Sequence, residues 1–307
     1  MNQAARLAAG VWTDLRSERA TPLPRWFLLA ALGLGAVFAL LYQLGAPIRA
    51  SYGARVNVDE PFYLLTTVSL LFDGDLDLRN DYELRRYRAF FDHEQELWTQ
   101  SGPGPEGRVL SPHNVGLSVL ILPAYALGGV DGVKAFLAVI GGVTVALTAL
   151  VAQRATGSER TSLIAAALIG STAPVFVYST QIYPEMPAAA LLAACVWLLL
   201  APKPGVRTAV LLAIGLSALA WLGSKYVIVG GVVALLALVR LQPSARWWLV
   251  GLAVPSAAGY AVFHLLTYGG LTPYAVNLIY AGTDTVELVA LHFEVWNRLY
   301  RLVALWV

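Results

Sequence analysis

Four polar sites interrupt an otherwise apolar chain, and their residue types could do chemistry. They are the doublet Asp59 and Glu60 in VDEPFYLLTTVSLLF, the SPHN turn with His113 and Asn114, Tyr183 and Glu185 in QIYPEM, and Lys225 in GSKYV. Ionisable groups at a membrane boundary are costly to bury, which makes each a functional candidate. A lone ammonium such as Lys225 suits an anionic headgroup, as a point charge for phosphate. Each residue also fits a plainer role. Asp59 can cap a helix that begins near Pro61, Glu185 can favour the amino end of the apolar helix after it, Lys225 can snorkel to the interface, and His113 can bond to backbone. The run DGDLDLRND sets Asp73, Asp75 and Asp77 in alternation like the opening of an EF-hand loop. Leu78 stands where that loop requires glycine and Leu84 where it requires a bidentate glutamate, so the match fails. A divalent metal held in another way stays open, no cofactor is required, and no Walker loop, zinc constellation or G-x-S-x-G elbow is present.

The elements that must position these groups follow from composition. Of 307 residues, 58% are hydrophobic and only 13% charged, against about a quarter charged in soluble domains, so the chain reads as an integral membrane protein. A net charge of +2 without a basic face argues against a nucleic-acid partner. Cys195, the single cysteine, lies in an apolar run and reads as a small buried hydrophobe. Apolar runs at 26–45, 133–152, 161–181, 185–201, 207–223, 226–240 and 246–267, with at most one charge each and that near an end, predict an all-α bundle of about seven spanning helices. The first follows an arm, 1–25, with Arg6, Arg16, Arg19 and Arg25, and reads as an uncleaved signal anchor with a cytoplasmic amino terminus.

A further apolar stretch, 114–129, is short, carries Pro123 and ends in paired glycines. If it does not cross, the basic connectors holding Arg154 and Arg160, Lys203 and Arg207, and Arg240 and Arg246 all face the cytoplasm, as the positive-inside rule asks. It is therefore expected to be juxtamembrane or re-entrant. That leaves a large extracytoplasmic loop, 46–132, in which 60–72 reads as an amphipathic helix on the bilayer and 81–98 as a second. Residues 133–267 form the remaining six-helix transmembrane region, and 268–307 an outer loop and the start of a truncated carboxy-terminal part. Residues 59–60, 113–114, 183–185 and 225 then gather on one side of the membrane. The Arg-rich, Lys-poor composition is that expected of a GC-rich bacterial genome, and the plasma membrane is the expected location.

In order along the chain, VDEPFYLLTTVSLLFDGDLDLRNDY, SPHNVGLSVLILPAYALGG, STQIYPEMPAA, WLGSKYVIVGG and YGGLTPYAVNLIYAG resemble polytopic glycosyltransferases of the GT-C class. Within that class the chain resembles the protein O-mannosyltransferases and the lipid A aminoarabinose transferases. The resemblance covers most of the chain after residue 50, with Val115 where relatives often carry proline. It implies transfer of a sugar, with inversion, from a polyprenyl-phosphate donor to a lipid, glycan or protein acceptor on the extracytoplasmic face. It places a catalytic acid in the first outer loop, matched here by Asp59 with Glu60 beside it. Such a carboxylate takes the proton of the attacking hydroxyl, and Lys225 would stabilise the leaving phosphate. Tyr183, Glu185, His113 and Asn114 are the other substrate-binding candidates. A flippase for lipid-linked sugars and a non-catalytic, truncated homologue are the alternatives.

Overall fold

The computed structural model describes residues 23–48, 55–56, 58–102 and 105–276; Arg6, Arg16, Arg19 and the part of the expected outer loop after Val276 lie outside them. The described residues form an all-helical protein, with α1 Arg25–Gly45, α2 Glu60–Phe72, α3 Arg79–Glu83, α4 Gly116–Thr156 and α5 Glu159–Gly170. They continue with α6 Ala173–Thr180, α7 Glu185–Leu199, α8 Val206–Leu222, α9 Tyr226–Arg240 and α10 Pro243–Tyr268. Three stretches are long and apolar enough to cross a membrane: Arg25–Gly45, Gly116–Thr156 and Pro243–Val276. The pair α5 and α6, bent by 62°, passes the same test as one broken span. The run expected at 161–181 is thus two helices, with Pro174 in the first turn of the second.

A straight α4 of 41 residues would measure about 62 Å, twice the hydrocarbon thickness. It is not straight. Gly128 and Gly129 leave helical geometry, Gly129 at φ 56°, ψ −144°, a region open essentially to glycine alone. The paired glycines therefore divide α4 into 116–127 and 130–156.

Contacts between connectors give the bundle two chemically different ends. At one, the Arg154 guanidinium lies 4.1 Å over the Trp197 ring and donates to its carbonyl, and the Gln242 N–H donates to the Pro204 carbonyl at 3.3 Å. The turns carrying Arg154 and Arg160, Lys203 and Arg207, and Arg240 and Arg246 meet there. At the other, the Lys134 ammonium donates to the carbonyls of Ala46 and Arg55, at 3.3 and 3.2 Å, and the Asn114 amide to the Ala220 carbonyl at 3.3 Å. The segment 116–127 therefore begins and finishes at the same end of the bundle.

Two loop expectations change. Helix α2 does not present one apolar face: Glu60 through Ser69 are all buried. Its polar residues can be buried because Thr66 and Thr67 donate to the carbonyls four residues back, at 2.9 and 2.8 Å, and Ser118 donates to the Tyr63 carbonyl at 2.9 Å. Leu64 and Leu65 share one core with Leu117, Ile121, Leu137 and Leu219, so α2 is wedged among the bundle helices. The stretch 81–98 is not one helix either. Helix α3 stops at Glu83, Arg85 takes a left-handed φ of 53°, a single 3-10 turn follows at Arg86–Ala89, and the chain is irregular to Trp98.

Candidate active site

Asp59 is the residue before α2, yet its side chain makes no capping hydrogen bond. Its Oδ1 instead accepts from Gln100 Nε2 at 3.3 Å and lies 3.7 Å from His113 Nε2, while the side chain keeps 37% of its exposure. Glu60 points elsewhere because successive helical residues are turned by about 100°. It is buried, and its Oε1 accepts the Ile182 N–H at 2.8 Å. The doublet is thus divided: Asp59 opens outward and Glu60 anchors the QIYPE connector.

Gln100 links Asp59 to His113. A carboxylate only accepts, so the Gln100 NH2 faces Asp59 and its Oε1 faces His113 Nε2, at 2.8 Å, which puts the imidazole proton on Nε2. The ring packs 4.7 Å from that of Tyr63. Burial pushes the His113 pKa down; Asp59 opposes that and Lys225 adds to it, so the net direction favours the neutral ring.

Tyr183 accepts the Asp59 backbone N–H at 3.4 Å through its hydroxyl. Burial raises the Tyr63 and Tyr183 phenols, and the carboxylates of Asp59 and Glu185 both add to each rise. Lys225 donates to Glu185 Oε1 at 2.6 Å; its own side chain is 60% exposed, that of Glu185 21%. The field of Asp59 thus reaches His113, Tyr63 and Tyr183, joined by that of Lys225 at His113 and by that of Glu185 at the two tyrosines, although the three residues come from connectors far apart in sequence.

Asn114 is buried and its amide is committed to protein. Nδ2 donates to the Ala220 carbonyl and to the Tyr260 hydroxyl, at 3.3 and 2.9 Å, and Oδ1 accepts from the Ser224 N–H and hydroxyl, at 3.3 and 3.2 Å. A Cβ at Gly116 would overlap the Trp221 carbonyl, so only glycine lets the start of α4 approach α8 this closely. Together these contacts hold His113 on one side and the Lys225 turn on the other. Gln100, Tyr63, Ser224 and Tyr260 belong to this site without having been picked out in the sequence. Ser224 alone carried a signal, standing beside Lys225 between two helical runs.

Immediately beyond lies an open apolar groove of about 550 Å³, lined among others by Val115, Gly116, Leu120, Leu191, Trp221 and Leu222. Its lining residues follow Asn114, precede Ser224 and, through Pro187, follow Glu185 in sequence. No protein-family model matches the chain, and no curated protein or solved structure matches it.

The alternating aspartates are engaged with their own chain. Arg86 binds Asp73, holding its carboxyl below the usual range, and also binds Asp81 at 2.9 Å. Asp75 accepts from Ser69 Oγ and the Asp77 N–H, and Asp77 accepts the Val109 N–H and pairs with Arg79. Among the described residues no three His, Cys, Asp or Glu side chains are grouped to hold a metal.

Proposed function

We propose that the chain is a polytopic membrane glycosyltransferase of the GT-C kind, moving a sugar from a polyprenyl-phosphate donor to an acceptor hydroxyl. The observation that carries this reading is the junction of an open carboxylate, an exposed ammonium and an apolar groove within one end of the bundle. A lipid-linked sugar needs those three surroundings: apolar surface for the polyprenyl chain, a cation for the phosphate and a base near the anomeric carbon.

The two-ended bundle supports a topology of about seven spans, formed by α1, 130–156, the bent pair α5 and α6, and α7 to α10. The end with the basic turns would be cytoplasmic and the end with Asp59 extracytoplasmic. A helix of 15 residues, such as α7 or α9, measures about 22 Å, short of a ~30 Å hydrocarbon core, so such helices suit a site recessed below the outer surface. A bacterial plasma membrane is the matching location, and the acceptor would be a lipid, glycan or protein reaching that face.

In the reaction the acceptor oxygen attacks the anomeric carbon from the side opposite the phosphate, forming the new glycosidic bond with inversion. Its proton passes to the Asp59 carboxylate. The bond from the anomeric carbon to the phosphate oxygen breaks, and its electron pair stays on that oxygen, where Lys225 stabilises the added charge. Glu185 Oε1 accepts one Lys225 donor of three, which leaves the ammonium able to reach a phosphate as well. Neutral His113, through Gln100, keeps Asp59 oriented without a competing cation beside it. A divalent metal is not used in this scheme.

The test is transfer from a radiolabelled polyprenyl-phosphate sugar in proteoliposomes. Lys225→Met is expected to raise the donor KM about tenfold, the loss of one exposed charge-assisted contact. An unchanged KM would remove Lys225 from the donor site, and no transfer by the wild-type protein with any such donor and acceptor would remove the enzymatic reading.

A further inference from the structure

A second cleft, of about 300 Å³ and sharing no lining residue with the apolar groove, opens where α1 ends, between Gln43, Ala46, Pro47, Arg55, Asp131 and Lys134. Its chemistry is unlike that of the groove. Lys134 is 8% exposed, on a helix that carries no other charge from 135 to 153. The carbonyls of Ala46 and Arg55 fix its ammonium at the cleft wall, at 3.3 and 3.2 Å. Arg55 contributes a guanidinium and Gln43 an amide with two N–H donors. Among the described residues the one carboxylate on the lining, Asp131, is 80% exposed and bonds Arg55 at 2.5 Å. An ion pair that open to solvent contributes little and yields readily to a better anion. Asp92 lies nearby but accepts the Arg55 backbone N–H, at 3.0 Å. Less than one helical turn before Gln43, and just after it, α1 exposes Leu40, Leu41 and Leu44, an apolar strip on a candidate membrane span.

We infer that this cleft seats the phosphodiester of a membrane phospholipid. Arg55 takes the phosphate oxygens with the Lys134 charge fixed at the cleft wall beside it, the Gln43 amide adds a neutral donor, and the leucines of α1 run along the acyl chains. Arginine suits this because its fork matches two phosphate oxygens at once. The cleft holds two cations and a donor amide at the height where a spanning helix leaves the hydrocarbon, which is where a phosphodiester lies. A lipid there would brace the Arg55 backbone, four residues before Asp59, against α1. The inference goes beyond sugar transfer and stands whether or not Asp59 is a base.

Native mass spectrometry of the purified protein with added phosphatidylglycerol tests it. Wild-type protein is expected to retain the lipid, and Arg55→Gln and Gln43→Leu each to weaken retention about tenfold, the loss of one strong phosphate contact. Lys225→Met, at the other site, is expected to change it little. Equal retention by wild type, Arg55→Gln and Gln43→Leu would overturn the assignment. Displacement of the lipid by millimolar inorganic phosphate would overturn the phospholipid and leave a soluble anion in its place. Circular dichroism of both variants separates loss of the lipid from loss of the fold, since Gln43 and Arg55 change only donors at the cleft.

Discussion

Asp59→Asn is expected to lower sugar transfer about a thousandfold, or ~4 kcal/mol in the transition state, while the protein still folds and binds donor. The amide is nearly the same size but cannot take a proton, so the acceptor hydroxyl must attack without a base. Folding should be spared because the native carboxylate makes no helix cap and accepts one long hydrogen bond, 3.3 Å, from Gln100. Glu60→Gln provides the contrast. Its carboxylate is buried on the Ile182 N–H, so its loss should appear first in stability and in the position of Tyr183. Measured kcat with a lipid-linked sugar donor, beside an unfolding midpoint in the same detergent, separates the two. Turnover near wild type in Asp59→Asn would end the assignment of the base.

Asn114→Ala is expected to destabilise the protein by about 1–3 kcal/mol, because it removes a buried amide and unpairs the half-buried groups bonded to it. Four hydrogen bonds converge on this one amide, from or to the Ala220 carbonyl, the Tyr260 hydroxyl and the N–H and hydroxyl of Ser224. Part of the loss is recoverable, since Ser224 Oγ and the Tyr260 hydroxyl already lie 3.1 Å apart and can pair with each other. The clamp also sets the distance between His113 and the Lys225 turn, so transfer should fall along with stability. Leu127→Ala, exposed on the helix that follows Asn114 and outside the groove, is the control. A shift in unfolding free energy below about 0.5 kcal/mol would show that Asn114 is not the clamp.

Much of the scaffold was legible because apolar helices advertise themselves by what they lack. The apolar runs at 185–201, 207–223, 226–240 and 246–267, charged only at their ends, correspond to α7 through α10 within a few residues. The short segment ending in paired glycines was also readable, since Gly129 needs a backbone conformation that other residues avoid. The outer loop was harder to read. Periodicity in 60–72 implied one buried face, but Thr66 and Thr67 satisfy themselves on their own helix and so allow burial all round. The helix expected across 81–98 fails at Arg85, whose left-handed backbone sequence statistics do not foretell, and Arg86 is drawn off to Asp73 and Asp81. At the site, the residue types Asp, His, Glu and Lys drew attention through their charge. Gln100 did not: it is neutral, sits in irregular chain, and meets Asp59 and His113 only after folding. Nor could adjacency in sequence show that Asp59 is open while Glu60 is buried.

The proposed chemistry depends on Asp59, Glu185 and Lys225 meeting lipid-linked donor on the outer face of the membrane, and labelling of single cysteines tests that most directly. On a Cys195→Ala background, cysteine would replace Leu84 and Leu271, exposed at the Asp59 end, and Lys203, in a basic turn at the other end. In intact cells a membrane-impermeant maleimide is predicted to label the Leu84→Cys and Leu271→Cys proteins, and the Lys203→Cys protein only after permeabilisation. Labelling of Lys203→Cys in intact cells, with the other two protected, would put the carboxylate and the ammonium in the cytoplasm and contradict the account.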